Sequence, residues 1–134
     1  MNGILVDSNI LLDVFLDDPK WAAWSEEQLS IYGASHHLYI NPMMYAEISI
    51  GFSRIEDLKQ TLMEGGFIML PIPKEALFLA GKTFLQYRKR KGTKRSPLPD
   101  FYIGAHAAIE DLPLLTRDQG RYRTYFPHVT ILGP

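Results

Sequence analysis

Four carboxylates in this chain occupy positions from which an α/β fold could aim them at one point: Asp7, Glu47, Asp100 and Asp118. Asp7 ends the apolar run Ile4-Leu5-Val6, and an amphipathic pattern through Ile10, Leu11, Val14, Phe15 and Leu16 begins directly after it. In an open parallel sheet that is the carboxyl end of a strand, where ligands bind. A carboxylate is costly to bury there without a cation, a set of hydrogen bonds or a metal. Two carboxylates about 4 Å apart repel by roughly 4 kcal/mol at a near-surface dielectric. A cluster of four therefore calls for protons or a divalent cation. Oxygen-only ligands with little histidine favour Mg²⁺ or Mn²⁺ over zinc. Such an ion keeps several waters, and one of them can be activated to hydrolyse a phosphodiester.

The elements that would position these acids follow from punctuation and periodicity. Residues 3–6 read as a buried strand, with Asp7 or Ser8 capping the helix after it. Asp18-Pro19 is a cap-then-proline signal that opens a second helix, carrying Trp21, Trp24, Leu29 and Ile31 and ending near Gly33. His37–Ile40 is the second strand, and Asn41-Pro42 repeats the signal before a helix that contains Tyr45, Glu47, Ile48 and Ile50. Ser53 and Glu56 match a capping box for a helix that stops at Gly65-Gly66. Phe67–Leu70 is a third strand. A long helix runs from about Lys74 to Lys91 with Ala76, Leu77, Ala80, Phe84 and Tyr87 at helical spacing. After an aperiodic segment, residues 92–98, Pro99 begins a helix with Asp100 in its first turn. Leu114-Leu115 is a fourth strand, Asp118 caps a short helix reaching about Phe126, and Val129–Ile131 is a fifth strand.

Strands alternating with helices imply a parallel sheet, right-handed crossovers and helices on both faces. With the first strand central, the strand order is 3-2-1-4-5, and the topological switch lies between strands 1 and 4. Asp7 and Asp118 then point into the same crevice, with Glu47 and Asp100 on helix starts at or beside the same edge.

A plainer reading competes. Asp7, Asp100 and Asp118 all stand at helix starts, where Asp is a good cap and suits the helix dipole. The chain has 15 acidic residues, so spacing alone cannot separate a metal site from three caps. Glu47 has the weakest capping explanation, because it sits inside an apolar helical pattern. Composition narrows the field: 134 residues suit a single domain, 1–134, and 46% hydrophobic with 22% charged residues is a globular balance. The absence of cysteine excludes thiolate nucleophiles, disulfides and Cys-based zinc sites, and fits a cytoplasmic setting. No signal-peptide pattern and no apolar run of about 18 residues points to a membrane. The net charge of -1 is neutral on nucleic acid, so charge distribution matters more.

Asp7-Ser8-Asn9, Glu47, Pro99-Asp100-Phe101-Tyr102-Ile103-Gly104-Ala105 and Leu115-Thr116-Arg117-Asp118 together resemble the PIN-domain nucleases. Length and motif spacing are most similar to the VapC-type toxins of bacterial and archaeal toxin–antitoxin pairs. The resemblance spans essentially the whole chain and rests on four acids in the right order, each in its expected context. It implies a PIN-like three-layer sandwich and a Mg²⁺- or Mn²⁺-dependent endoribonuclease acting on tRNA or rRNA and leaving a 5′-phosphate. It also implies a homodimer silenced by a small VapB-like antitoxin. Asp7, Glu47, Asp100 and Asp118 become the metal-binding acids, and Asn9 and Thr116 orient a carboxylate or a water. Phe101-Tyr102 departs from the small residue found in many relatives and implies a bulkier rim.

Arg88, Lys89, Arg90, Lys91, Lys94 and Arg95 form a basic strip with no acid between Glu75 and Asp100. One or two cations would suffice for a helix C-terminus, so the strip reads as a surface that tracks RNA phosphates. Arg117 could pair with Asp118, contact phosphate or face solvent. The histidines at 36, 37, 106 and 128 show no zinc-like pairing and read as edge or surface residues, while Trp21, Trp24, Met43, Met44 and Tyr45 suit packing or a protein interface. Two other functions compete with the ribonuclease. A phosphatase of the haloacid dehalogenase type also places Asp after its first strand, but it wants a second Asp where this chain has Asn9. A catalytically inactive PIN-like module that only binds RNA or protein would not need all four acids.

Overall fold

A computed structural model describes residues 2–90 and 98–134. Five strands form one all-parallel sheet in the order β3-β2-β1-β4-β5. These are β1 (Gly3–Val6), β2 (His37–Ile40), β3 (Phe67–Met69), β4 (Leu114–Leu115) and β5 (Ile131–Leu132), so the expected order holds. Ile4, Leu5, Val6, Leu114 and Leu115 are almost wholly buried, as strands covered on both faces should be. The helices are α1 (Ser8–Phe15), α2 (Ala22–Gly33), α3 (Pro42–Ile48), α4 (Ile55–Glu64), α5 (Lys74–Lys89), α6 (Leu98–Ile109) and α7 (Gly120–Arg123). No helix among the described residues is long and apolar enough to cross a membrane.

Some caps match sequence expectation, and other caps and boundaries differ from it. Asn41 caps α3 as expected, its Oδ1 accepting from the Met43 and Met44 amides at 2.9 and 3.1 Å, with Pro42 at the first position. Asp18 accepts from the amides of Lys20 and Trp21 at 2.9 Å, closing a turn that precedes α2. The Ser53–Glu56 capping box does not form: Arg54 takes the cap position of α4 and no side chain bonds there. The last strand lies at Ile131–Leu132, later than expected, where it pairs with Leu114 and Leu115.

The packing also relocates some residues read as surface or rim. His106 is fully buried, and its Nδ1 lies 3.0 Å from Asn41 Nδ2. Since Asn41 Oδ1 is occupied by the α3 amides, its Nδ2 donates to His106, whose pKa burial lowers against the charge of Glu110. Met44 is core rather than interface. Phe101 does not bulk the rim. It is 3% exposed and meets Phe84, Tyr87, Tyr125 and Phe126 with ring centroids 5.3–6.3 Å apart. Gly104, one turn on, lets α6 approach this cluster: a Cβ there would stand 2.3 Å from the Phe126 ring.

Candidate active site

The carboxyl ends of β1 and β4 are adjacent, with Val6 paired to Leu115. The residues that follow, Asp7 and Thr116, therefore meet across the strand pair. Asp7 holds the N-cap position of α1 yet makes no side-chain cap bond. Its Oδ2 instead accepts from Thr116 Oγ1 at 2.9 Å and from Tyr122 Oη at 2.8 Å. Nor does Ser8 cap the helix, because its Oγ donates to Glu47 Oε1 at 2.9 Å and lies 3.4 Å from Asp7 Oδ1. Both are corrections to a reading based on capping alone: a carboxylate already engaged by distant donors has no reason to fold back on its own helix.

Thr116 is the hub. Wholly buried, its hydroxyl donates to Asp7 and accepts from the Asp118 amide at 3.0 Å and from Asn9 Nδ2 at 3.3 Å. That uses the one proton and both lone pairs. Asp118 does not cap α7 either. Its Oδ2 instead forms an ion pair with Arg121, 2.9 Å from Nε, and Arg121 Nη1 lies 3.4 Å from Asp100 Oδ1. Glu47 belongs to the last turn of the short α3, not its start, and reaches the edge from there. The result is one connected network, Glu47–Ser8–Asp7–Thr116–Asp118–Arg121–Asp100, which contains all four acids.

Electrostatics mark the same place. Burial, the largest cause, raises the Asp7 carboxyl above its ordinary 3.8 against the bonds from Tyr122, Thr116 and the Ser8 backbone. Burial also raises Glu47, assisted by the charges of Asp7 and Asp100 after the Ser8 bond has opposed it. Asp100 is raised by burial and by Asp7 and Asp118, with Arg121 pulling the other way. Tyr122 is pushed well above the usual phenol range by burial and by Asp7, so it remains the proton donor in their bond. Carboxylates that raise one another's pKa are a donor set suited in chemistry to a hard divalent cation. Among the described residues, however, no three such side chains lie close enough together to share one ion as they stand.

Sequence reasoning missed three participants. Tyr122 and Arg121 lie within one turn of Asp118, and that proximity was the available signal. The third is Asp13, a carboxylate in the apolar run of α1. It is 3% exposed and takes a two-pronged ion pair from Arg117 (Nε to Oδ2 2.9 Å, Nη2 to Oδ1 3.1 Å), with Ser25 Oγ at 2.8 Å. Arg117 also stacks over Trp21, 5.4 Å from the ring centroid. Its guanidinium is thus paired with Asp13 and not with Asp118, while the side chain stays 30% exposed. Of the basic strip, Arg88, Lys89 and Arg90 are exposed at the end of α5, with Arg90 5.7 Å from the centre of the Tyr125 ring. Lys91, Lys94 and Arg95 lie outside the described residues.

The PIN-domain family profile matches residues 4–127, and the chain belongs to that family. Solved structures with the same fold include a chain of VapBC2 from Rickettsia felis bound to a promoter DNA fragment. It has a TM-score of 0.73 and 15% identity, over 97% of each chain. DNA-bound VapBC from Salmonella typhimurium gives 0.70 and 20%, over 99% of this chain and 98% of that one. FitAcB from Neisseria gonorrhoeae gives 0.67 and 20%, over 98% and 97%. Against curated protein sequences no significant match is found.

Proposed function

We propose that this chain is a VapC-type toxin: a Mg²⁺- or Mn²⁺-dependent endoribonuclease, with tRNA or rRNA as its substrate class. The observation that carries this reading is the single network linking Asp7, Glu47, Asp100 and Asp118 at the β1–β4 switch point. These four acids would hold the ion. Asp7 would offer Oδ1, because Oδ2 is occupied by Thr116 and Tyr122. A divalent cation bound there supplies Lewis acidity, which lowers the pKa of water and offsets charge at the scissile phosphate.

The chain's own residues do the remainder. Thr116 and Tyr122 fix the orientation of the Asp7 carboxylate, and Asn9 holds Thr116. Ser8 donates to Glu47 Oε1 and so fixes the carboxylate that α3 brings to the Asp7 edge. The exposed Arg88, Lys89 and Arg90 track the RNA backbone; Lys91, Lys94 and Arg95, which continue the strip in sequence, lie outside the described residues.

A VapB-like antitoxin and a homodimer complete the reading. The antitoxin is supported by the family and by the fold shared with a chain of a toxin–antitoxin complex from Klebsiella pneumoniae, and the homodimer rests on the family resemblance alone. The exposed Leu77, Phe78 and Leu85 on α5 provide apolar surface for such a partner. A cytoplasmic location follows from that role.

The test is RNA turnover by purified Asp7→Asn and Asp100→Asn proteins beside the wild type, with circular dichroism confirming the fold. Both variants should lose cleavage, and retained turnover in either would defeat the proposal. The inactive-module alternative is separated by titrating Mn²⁺. An active site binds it and gains thermal stability, and an idle module does not.

A further inference from the structure

Arg121 carries more than its neighbours on α7. Its fork spans two of the four acids, with Nε 2.9 Å from Asp118 and Nη1 3.4 Å from Asp100. Asp100 and Asp118 come from different elements, one opening α6 and the other following β4; burial first, and then the charges of Asp7 and Asp118, raise the Asp100 pKa while Arg121 opposes the rise. A planar guanidinium between two carboxylates contacts both at once and offsets one of their two charges, where a divalent ion would offset both. Burial works against the Arg121 charge, but Asp100 and Asp118, with Tyr122 and Asp7 behind them, outweigh it. The side chain is nonetheless 53% exposed, so solvent lies on one side of it and it can swing out without unfolding α7.

We propose that Arg121 is a built-in counter-ion of the acidic site, bridging Asp100 and Asp118 in the metal-free protein and displaced from at least one of them when a divalent cation enters. The inference rests on the metal-dependent reading above and adds what that reading lacks: a reason why the acids do not stand at chelating distance in the present arrangement. Arg121 makes the metal-free cluster tolerable and, by the same contacts, competes with the ion. Metal affinity is then the affinity of the bare acids reduced by the cost of releasing the guanidinium. A lysine could not do the same, because one ammonium cannot present a fork to two carboxylates.

The test uses the full chain with Mn²⁺ alone, measured by isothermal titration calorimetry for wild type, Arg121→Gln and Arg121→Lys. Arg121→Gln should bind Mn²⁺ about tenfold more tightly than wild type, equivalent to about 1.4 kcal/mol, with Arg121→Lys between them. Thermal denaturation supplies a second readout that needs no turnover. In EDTA, Arg121→Gln should melt below wild type, and in saturating Mn²⁺ the gap should close, because the ion replaces the lost charge. Equal or weaker Mn²⁺ binding by Arg121→Gln would overturn the counter-ion role while leaving the metal site intact. So would a melting deficit that persists unchanged in Mn²⁺, which marks a structural residue. Failure of wild type and both variants to bind Mn²⁺ would overturn the metal-dependent reading itself, and this inference with it.

Discussion

Replacing Thr116 with valine isolates the hub of the site, because valine has nearly the same shape and leaves no cavity. Only the hydroxyl goes, and with it three contacts: the bond to Asp7 at 2.9 Å, the Asp118 amide at 3.0 Å and Asn9 at 3.3 Å. The first is the largest. A hydrogen bond to a charged acceptor contributes about 1.5–3 kcal/mol, and the Asp7 carboxylate is buried, so water cannot replace the donor. Leaving the Asp118 amide unpaired costs about 1 kcal/mol more, at the low end of the usual range because Asp118 is partly exposed. The long Asn9 contact adds little. Thr116→Val should therefore destabilise the metal-free protein by about 2–4 kcal/mol, read from urea midpoints with an unchanged m-value. Thr116→Ser, which keeps the hydroxyl and loses one methyl, should cost about 1 kcal/mol. If the valine variant unfolds within about 0.5 kcal/mol of wild type, the hydroxyl is not positioning Asp7 and the account of the site is wrong.

Other consequences follow from the same geometry. Arg117→Ala leaves the Asp13 carboxylate buried with Ser25 alone and should cost about 3 kcal/mol. Adding Asp13→Asn should restore a large part of it, as equilibrium unfolding of the single and double variants will show. Asp7→Asn should stabilise the metal-free protein at pH 7. The native Asp7 pKa lies above its unfolded value of 3.8, so the native state binds the proton more readily and the carboxylate form opposes folding at neutral pH. That advantage should shrink as pH falls through the raised native pKa and vanish near 3.8, a trend visible in paired urea titrations in EDTA. Neutralising Arg88, Lys89 and Arg90 together should weaken RNA binding and flatten its salt dependence by about 2–3 units of log–log slope. An unchanged slope in a filter-binding series would remove these residues from the RNA path.

The architecture was legible because alternating apolar runs and helical periods leave few topologies, and a parallel sheet places Asp7 and Asp118 on one edge whatever the details. Glu47 was legible for a different reason: a carboxylate inside an apolar helical pattern has no local explanation. The same signal at Asp13, between Leu12 and Val14, went unused. What local pattern could not give was the choice among partners. Ser8, Asp7 and Asp118 are all good caps in isolation, and all three turn away from capping, because Glu47, Tyr122, Thr116 and Arg121 offer stronger bonds from up to 115 positions away. Arg117 and Asp13 are 104 positions apart, so their pairing depends on β4 lying beside β1, a consequence of the sheet order and not of any neighbouring residue. Phe101 was misread for a related reason. Its place after Asp100 suggests the rim, but helical geometry turns it some 100° away from that acid and into the aromatic cluster.

The central claim is that these acids cut RNA through a divalent ion. Its most direct measurement is cleavage of a structured RNA by the purified chain in Mg²⁺ and in EDTA, with the new ends mapped chemically. The account predicts cleavage only with the ion present, loss of cleavage in Asp100→Asn, and products bearing a 5′-phosphate and a 3′-hydroxyl. Cleavage that persists in EDTA, or products ending in a 2′,3′-cyclic phosphate, would mean that the attacking group is the RNA's own hydroxyl, and would contradict it.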